Sequence, residues 1–473
     1  MNYTGKMFKN KRENAVLVLP EGSNKLYILN SANKLSPMRF LGGETMNRSP
    51  WSWVPTLYFT EGLPYFIVNT VSVVMLKDLG TSNGKLAMMT SLLALPWLFK
   101  PLWSPLVDTV KSKRWWIIAT QLSIALTVAL IALTLSEHST FTMTLVLFAV
   151  TAFASATHDI SADGYYMIAL DETRQPAFIG IRNTFYRIAM IFGQGIVVVL
   201  AGIIEKYAGN TATAWRITLV LTAGILASLA FYHSSFLPEA EARTNVKNGN
   251  NTELLKNFAA AFISFFTKKG SLAAITFMLL YRFPEALLMK MLYPFFSDPK
   301  SSGGLGLDKE AYGMICGSAG VAALLLGGIL GGFYISRHGL RRSMPLMALS
   351  LTLPCIVYPF LALVRPESLG LTGLCIAFDQ FGYGFGFTAY TVYMMNFSDG
   401  PMKTSHYAIC TGFMALSAII PGAIAGYLQE ICGYTGFFAL ALLSCAATLG
   451  VTRMVIRPSE KALHESGQPK QSR

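Results

Sequence analysis

The chain has 473 residues, 53% of them apolar and only 13% charged, with a mean hydropathy of +0.45, which excludes an ordinary soluble protein and indicates a polytopic membrane protein. Lys and Arg outnumber Asp and Glu, 38 to 25, yet no basic stripe falls on a folded soluble domain; nucleic acid is excluded as a partner, and retention of positive loops on one side of a bilayer accounts for the excess. The six cysteines fall mostly in apolar spans without CxxC pairs, so neither a metal site nor a cofactor is expected.

Residues 1–50 carry scattered basics (Lys6, Lys9, Lys11, Arg12, Lys25, Lys34, Arg39) and no sustained period, which predicts a weakly ordered cytoplasmic tail with a strand at Val16–Leu19. No apolar run long enough for a secretory signal precedes the first span, and Met46 is expected to serve as a start that leaves the tail dispensable. Apolar runs of about 20 residues, enough to cross the hydrocarbon, predict twelve helices. They are α1 at 52–76, α2 at 86–107, α3 at 115–136, α4 at 141–168, α5 at 177–203, α6 at 214–236, α7 at 271–296, α8 at 311–335, α9 at 344–364, α10 at 371–397, α11 at 405–428 and α12 at 434–456. The long polar connection after Pro238 divides the chain into an N-terminal six-helix bundle at 51–237 and a C-terminal one at 270–457. Between them runs a cytoplasmic linker at 238–269 with a surface helix over 254–267, and a cytoplasmic tail follows at 458–473.

The two bundles echo each other. Leu57-Tyr58 and Glu61 of α1 recur about 224 residues later as Leu280-Tyr281 and Glu285 of α7, and Ala152-Phe153 and Asp171 recur as Ala377-Phe378 and Asp399. Lys111, Lys113, Arg114, Arg174, Lys247, Lys268, Lys269, Arg337, Arg341, Arg342 and Lys403 fall on alternate loops shared with both termini, so both ends are expected in the cytoplasm.

Charges inside spans mark a functional interior, because a carboxylate at membrane depth is costly unless it faces water or a partner. The first is Glu61 in Thr60-Glu61-Gly62-Leu63-Pro64-Tyr65. In α4, Asp159 and Asp163 are one turn apart on one face, with Tyr166 just beyond, and two close carboxylates resist joint ionisation without a cation. Antiparallel α5 supplies Arg182 and Arg187 at matching depth, predicting the pairs Asp163–Arg182 and Asp159–Arg187, either structural or part of a proton or substrate relay. In α7, Pro284 permits a kink, Arg282 and Glu285 are spaced to pair, and Arg282 is placed to attract an anionic solute; Lys290 is expected to line the passage or to snorkel outward. Asp379 of α10 precedes the string Gly382-Tyr383-Gly384-Phe385-Gly386, which in a span reads as close helix packing rather than a nucleotide loop, as does Gly327-Gly328-Ile329-Leu330-Gly331-Gly332.

After α8 the chain reads Gly332-Phe-Tyr-Ile-Ser336-Arg337-His338-Gly339-Leu340-Arg341-Arg342, which resembles the GxxxDRxGxRR loop of the major facilitator superfamily with Ser336 where an Asp is usual; in the first bundle Asp108, Lys113 and Arg114 remain of the pattern. Glu61-Gly62-Leu63-Pro64, Pro101-Leu102-Trp103-Ser104-Pro105-Leu106-Val107-Asp108 and His158-Asp159-Ile160-Ser161-Ala162-Asp163-Gly164-Tyr165 further resemble the AmpG-type muropeptide permease branch, related to acetyl-coenzyme A transporters, with His158 in place of a Gln and Gly164 of an Ala. The resemblance is good over residues 51 to 200 and looser beyond. It implies an all-α fold of two pseudo-symmetric six-helix bundles and a bacterial inner-membrane, proton-driven importer of cell-wall sugar-peptides. Within that reading Glu61, Asp159 and Asp163 are expected to couple protons. Tyr65, Tyr166, Arg282, Glu285 and Asp379 are expected to bind substrate or gate, with Arg182 and Arg187 as counter-ions. The partners implied are a small anionic solute, protons and the bilayer, for a monomer. Other cargo (a siderophore, acyl-coenzyme A or a sugar), export, and more remotely a membrane-embedded transferase remain the alternatives; no Gly-x-Ser-x-Gly, HExxH or GxxxxGK[ST] stretch speaks for an enzyme or for ATP drive.

Overall fold

The computed structural model describes residues 49–135, 141–170, 175–239, 260, 262–400 and 402–456, together with four short strands near the start of the chain. Those strands, β1 Met7–Lys9, β2 Val16–Val18, β3 Tyr27–Leu29 and β4 Leu35–Pro37, belong to a separate unit of residues 1–48 and pair antiparallel in chain order, with Met7 opposite Val18 and Val16 opposite Leu29. Asp171, Arg174, most of the linker and the C-terminal tail lie outside the described residues.

In the second unit, which begins at Ser49, the described residues are almost all helical. Among the described residues nine helical stretches are long and apolar enough to cross a bilayer: α1 Pro50–Asp78, α3 Lys113–Thr134, α4 Phe141–Ala169, α5 ending with Gly180–Ala208, α6 Thr211–Phe236, α7 Ser271–Ser297, α8 Lys309–His338, α9 Leu340–Val364 and Ser405–Ile456. The last is two helices, α11 and α12, meeting at Gly433, whose φ of 65° and ψ of 174° leave the helical region. With α2 (Asn83–Leu92 and Leu95–Thr109) and the glycine-rich α10 (Leu369–Phe397), this makes the twelve expected, in two six-helix bundles.

Local sequence explains the breaks and ends. Pro96 restarts α2 after Leu93 and Ala94, interrupting a helix that its apolar run alone predicts to be continuous. Pro284 likewise opens a second α7 segment at Phe283, leaving Tyr281 and Arg282 at the junction with Leu280. Asn210, Asp308 and Ser368 cap α6, α8 and α10 by accepting from the backbone N–H three residues on.

Three helices widen into π turns, α1 at Ile67–Val71, α5 at Phe192–Val197 and α8 at Gly313–Gly320. The last two meet across the bundles. A Cβ on Gly195 would stand 3.0 Å from Ser318 Oγ, and one on Gly317 would collide with the Gln194 carbonyl, so glycine here sets how closely the halves approach. The expected close packing of α8 on α10 is also found, through Gly327 and Gly331 against Phe381 and Phe385; Gly332, the glycine of the loop motif, faces open space instead, since one residue rotates it off that contact.

Polar contacts between the bundles gather at the end opposite the basic loops. Lys77 Nζ meets Asp298 Oδ1 at 2.7 Å, Asn83 donates to Gln429 at 2.6 Å, and the Gly84 N–H donates to Glu430 at 2.7 Å. On the other side of the seam, Lys309 of α8 lies between Asp78 of α1 (2.6 Å) and Glu205 of α5, while Tyr293 of α7 donates to Asp78 and Lys206 reaches Glu310 at 2.7 Å. This far end is closed by charge as well as by packing.

Candidate functional site

At mid-depth each bundle carries its own polar cluster. In the first, Arg182 Nη2 binds Asp163 Oδ1 at 2.7 Å and lies 4.5 Å above the ring of Tyr58, whose hydroxyl donates to the same carboxylate at 3.4 Å. Tyr166 is buried beside Tyr58, at 5.8 Å between ring centroids, and 5.7 Å from the guanidinium. The expected Asp163–Arg182 pair therefore forms, while the expected Asp159–Arg187 pair does not. Asp159 Oδ2 instead accepts from Trp97 Nε1 of α2 at 2.8 Å, and Arg187 Nη1 turns toward Met190 Sδ at 3.8 Å. Depth along two helices was readable from sequence; the rotation that aims Arg187 elsewhere was not.

Glu61 is buried on α1, within electrostatic reach of Asp163, Asp159, Arg182 and Lys100. Its Oε2, like Asp159 Oδ1, is buried without a hydrogen-bond partner. Lys100 of α2 is thus the lysine within electrostatic reach of both acids. Tyr65, one turn beyond Glu61, packs edge-on against Trp97 at 5.0 Å and feels Asp159 and Arg187 of its own bundle together with Arg282 and Glu285 of the other. Tyr65 thus stands between the two clusters.

In the second bundle Arg282 Nη2 binds Glu285 Oε2 at 3.0 Å and donates to Tyr383 Oη at 2.8 Å, with Phe387 5.0 Å below the guanidinium. Asp379 accepts from Tyr358 at 2.8 Å and from Gln380 at 3.1 Å. At the offset of the internal repeat Tyr58 and Glu61 of α1 stand where Arg282 and Glu285 stand in α7. Solvent access separates the two. Side-chain exposure is 30% and 37% for Arg182 and Asp163 but 10% for both Arg282 and Glu285, so the first pair is wet and the second nearly dry.

Other residues fall differently from expectation. Lys290 does not snorkel; it crosses the seam to Thr90 Oγ1 of α2 at 3.4 Å. His158 and His233, dispersed in sequence, are joined through Gln121 at 2.9 and 3.0 Å, and His233 continues to Thr56 at 2.9 Å, tying α4, α3, α6 and α1 together. In the loop motif, Arg114 binds Glu239 at 3.0 Å and the Ser234 carbonyl, Lys113 is buried under Gly164, and Ser336 bonds back to the Phe333 carbonyl. Arg341 reaches the Ile456 carbonyl, and Gly339 ends α8 at a φ of 76°. Arg337 and Arg342 are exposed, and the Asp108 side chain lies outside the described residues. No group of three His, Cys, Asp or Glu among the described residues is arranged for a metal ion.

Residues 56–399 match the Major Facilitator Superfamily. The anhydromuropeptide permease of Escherichia coli (strain K12) is 25% identical over 421 residues, covering 84% of this chain and 80% of that protein. A putative transporter of Rickettsia felis, AmpG 4, is 23% identical over 400 residues, covering 82% and 92%. Among solved structures, a bacterial homologue of the human lysosomal transporter Spinster, in an inward-facing and unoccupied conformation, superimposes with a TM-score of 0.66 at 15% identity, covering 88% of this chain and 100% of that one. At that identity the likeness is one of fold.

Proposed function

The chain belongs to the Major Facilitator Superfamily, and from that premise we propose that it is a proton-coupled importer of anhydro sugar-peptides released from the bacterial cell wall. It is a transporter rather than an enzyme. The positive loops support placing the basic end in the cytoplasm of a bacterial inner membrane, in which case a closed far end makes this the inward-facing state of an alternating-access cycle.

The observation that carries proton coupling is the pair of buried oxygens without a partner, Glu61 Oε2 and Asp159 Oδ1, on facing helices beside Arg182 and Lys100. Two acids in one low-dielectric site, with Arg182 already engaged by Asp163, cannot both stay ionised at low cost, so the site gains by holding a proton. Cargo that brings or removes an anionic group nearby changes that balance, which is the physical basis of symport. The cargo itself rests on the curated relatives.

The test is uptake into proteoliposomes of a panel (an anhydromuramyl tripeptide, a siderophore, acyl-coenzyme A, a hexose) with and without an imposed pH gradient. The expected result is gradient-dependent accumulation of the tripeptide. Accumulation of another solute replaces the cargo, and uptake indifferent to the gradient refutes the coupling.

A further inference from the structure

Among the described residues the mid-depth clusters hold three arginines, Arg182, Arg187 and Arg282, and two are engaged by carboxylates of their own bundle, Arg182 by Asp163 and Arg282 by Glu285. The third, Arg187, has no such partner among the described residues. The carboxylate that shares its depth, Asp159, is held by Trp97, and Arg187 is left with a long contact to the soft sulfur of Met190, a poor acceptor for a guanidinium. Arg187 is partly exposed, so its guanidinium is open to an anion that arrives from outside the chain.

The surroundings of Arg187 have the form of a site. Tyr65 of α1 and Tyr186 of α5 stand with ring centroids 6.5 Å apart, Tyr65 continues the wall to Trp97, and both tyrosines pack with Phe66 and Met190 against Val321 of α8 in the opposite bundle. The guanidinium offers a planar fork matched to a carboxylate, while the aromatic walls offer faces to a sugar or peptide plane.

We propose that Arg187, beside Tyr65 and Tyr186 where α1 and α5 meet Val321 of α8, is the subsite that receives a carboxylate of the cargo. This deepens the importer reading and rests on it. Because the walls come from both bundles, a ligand seated there touches both, and its charge is recognised where the halves move against each other.

The experiment compares uptake of an anhydromuramyl tripeptide as the free acid and as its methyl ester in proteoliposomes of the parent chain, Arg187→Gln and Arg187→Lys. A charge-assisted bidentate pair predicts that the parent prefers the acid by about ten- to a hundredfold and that Arg187→Gln takes both forms alike. Arg187→Lys keeps the charge but not the fork, so it should show a reduced preference, and it carries the test if the Gln variant does not reach the membrane. A parent that takes acid and ester equally overturns the subsite. A variant that discriminates as well as the parent overturns its assignment to Arg187. A parent that takes neither overturns the cargo reading, and the carboxylate subsite for that cargo with it.

Discussion

Charges at the far end of the bundle and charges at its middle pair by opposite rules. At the far end the partners come from different halves: Lys309 sits between Asp78 and Glu205, and Lys77 binds Asp298. At mid-depth they come from the same half, Arg182 with Asp163 and Arg282 with Glu285, and acid oxygens are left over. Bonds across the seam must break when the halves part, whereas bonds within a half ride along unchanged. On the function proposed above, the far end therefore stores the preference between conformations, and the middle keeps a fixed surface for solutes and protons.

The sharpest way to break the comparison is to neutralise a leftover acid. Asp159→Asn and Glu61→Gln should each abolish accumulation driven by a pH gradient, while leaving the far-end pairs intact and the distance between spin labels on the α1–α2 and α7–α8 loops unchanged. Asp163→Asn is also expected to lose gradient-driven uptake, but by freeing Arg182 from its carboxylate rather than by removing an unpartnered oxygen. Wild-type proton coupling in all three would end the assignment of the mid-depth acids.

Next in size is Lys309→Met. Its side chain is 9% exposed and compensates two acids, so removal leaves two carboxylates facing each other in the closed far end. Loss of one partner of a buried pair costs about 3–5 kcal/mol, enough to shift a two-state balance more than a hundredfold. The expected outcome is a longer distance between those same labels, read by pulsed electron resonance. Arg282→Gln, by contrast, orphans Glu285 within one half and should lower thermal stability without moving that distance.

Much of this was legible in the sequence, and what was not has a physical cause. Hydropathy located the twelve spans because each must be apolar over a fixed length, and Pro284 marked a break that the backbone obeys. Spacing along α4 and α5 foresaw Arg182 with Asp163, but depth is only one coordinate. The rotation of each helix let Trp97, 62 residues before Asp159, take the place expected of Arg187. The same limit hid which glycines of the α8 string make the contact, Gly327 and Gly331 rather than Gly332. Asp78, Glu205 and Lys309 escaped notice altogether, because charges at helix ends read as loop charges until the fold brings three ends together.

Gly317→Val probes the seam without touching a charge. Any side chain there meets the Gln194 carbonyl, and overpacking costs about 1–3 kcal/mol, chiefly in the state with the far end closed. A shift toward the far-open state of about tenfold is expected, smaller than that of Lys309→Met but in the same direction. An unshifted label distance would mean that the close crossing of α5 and α8 is incidental to conformation.

The smallest effect is expected at Lys77. Its pair with Asp298 also crosses the seam, but the two side chains are 15% and 18% exposed, and Asp298 keeps a 2.7 Å bond from Tyr434 when the lysine is lost. Partial solvation and a remaining partner reduce the cost of Lys77→Gln to about 0.5–1 kcal/mol, a few-fold shift in the conformational balance. The value of this variant lies in a double-mutant cycle with Lys309→Met. If the two latches close as one rigid surface, the label distance in the double variant should follow the summed free energies of the singles, because their sites are separate and share only α1. A strong departure from that sum would show that adjacent Lys77 and Asp78 act as one unit, making α1 the lever through which one side of the seam informs the other.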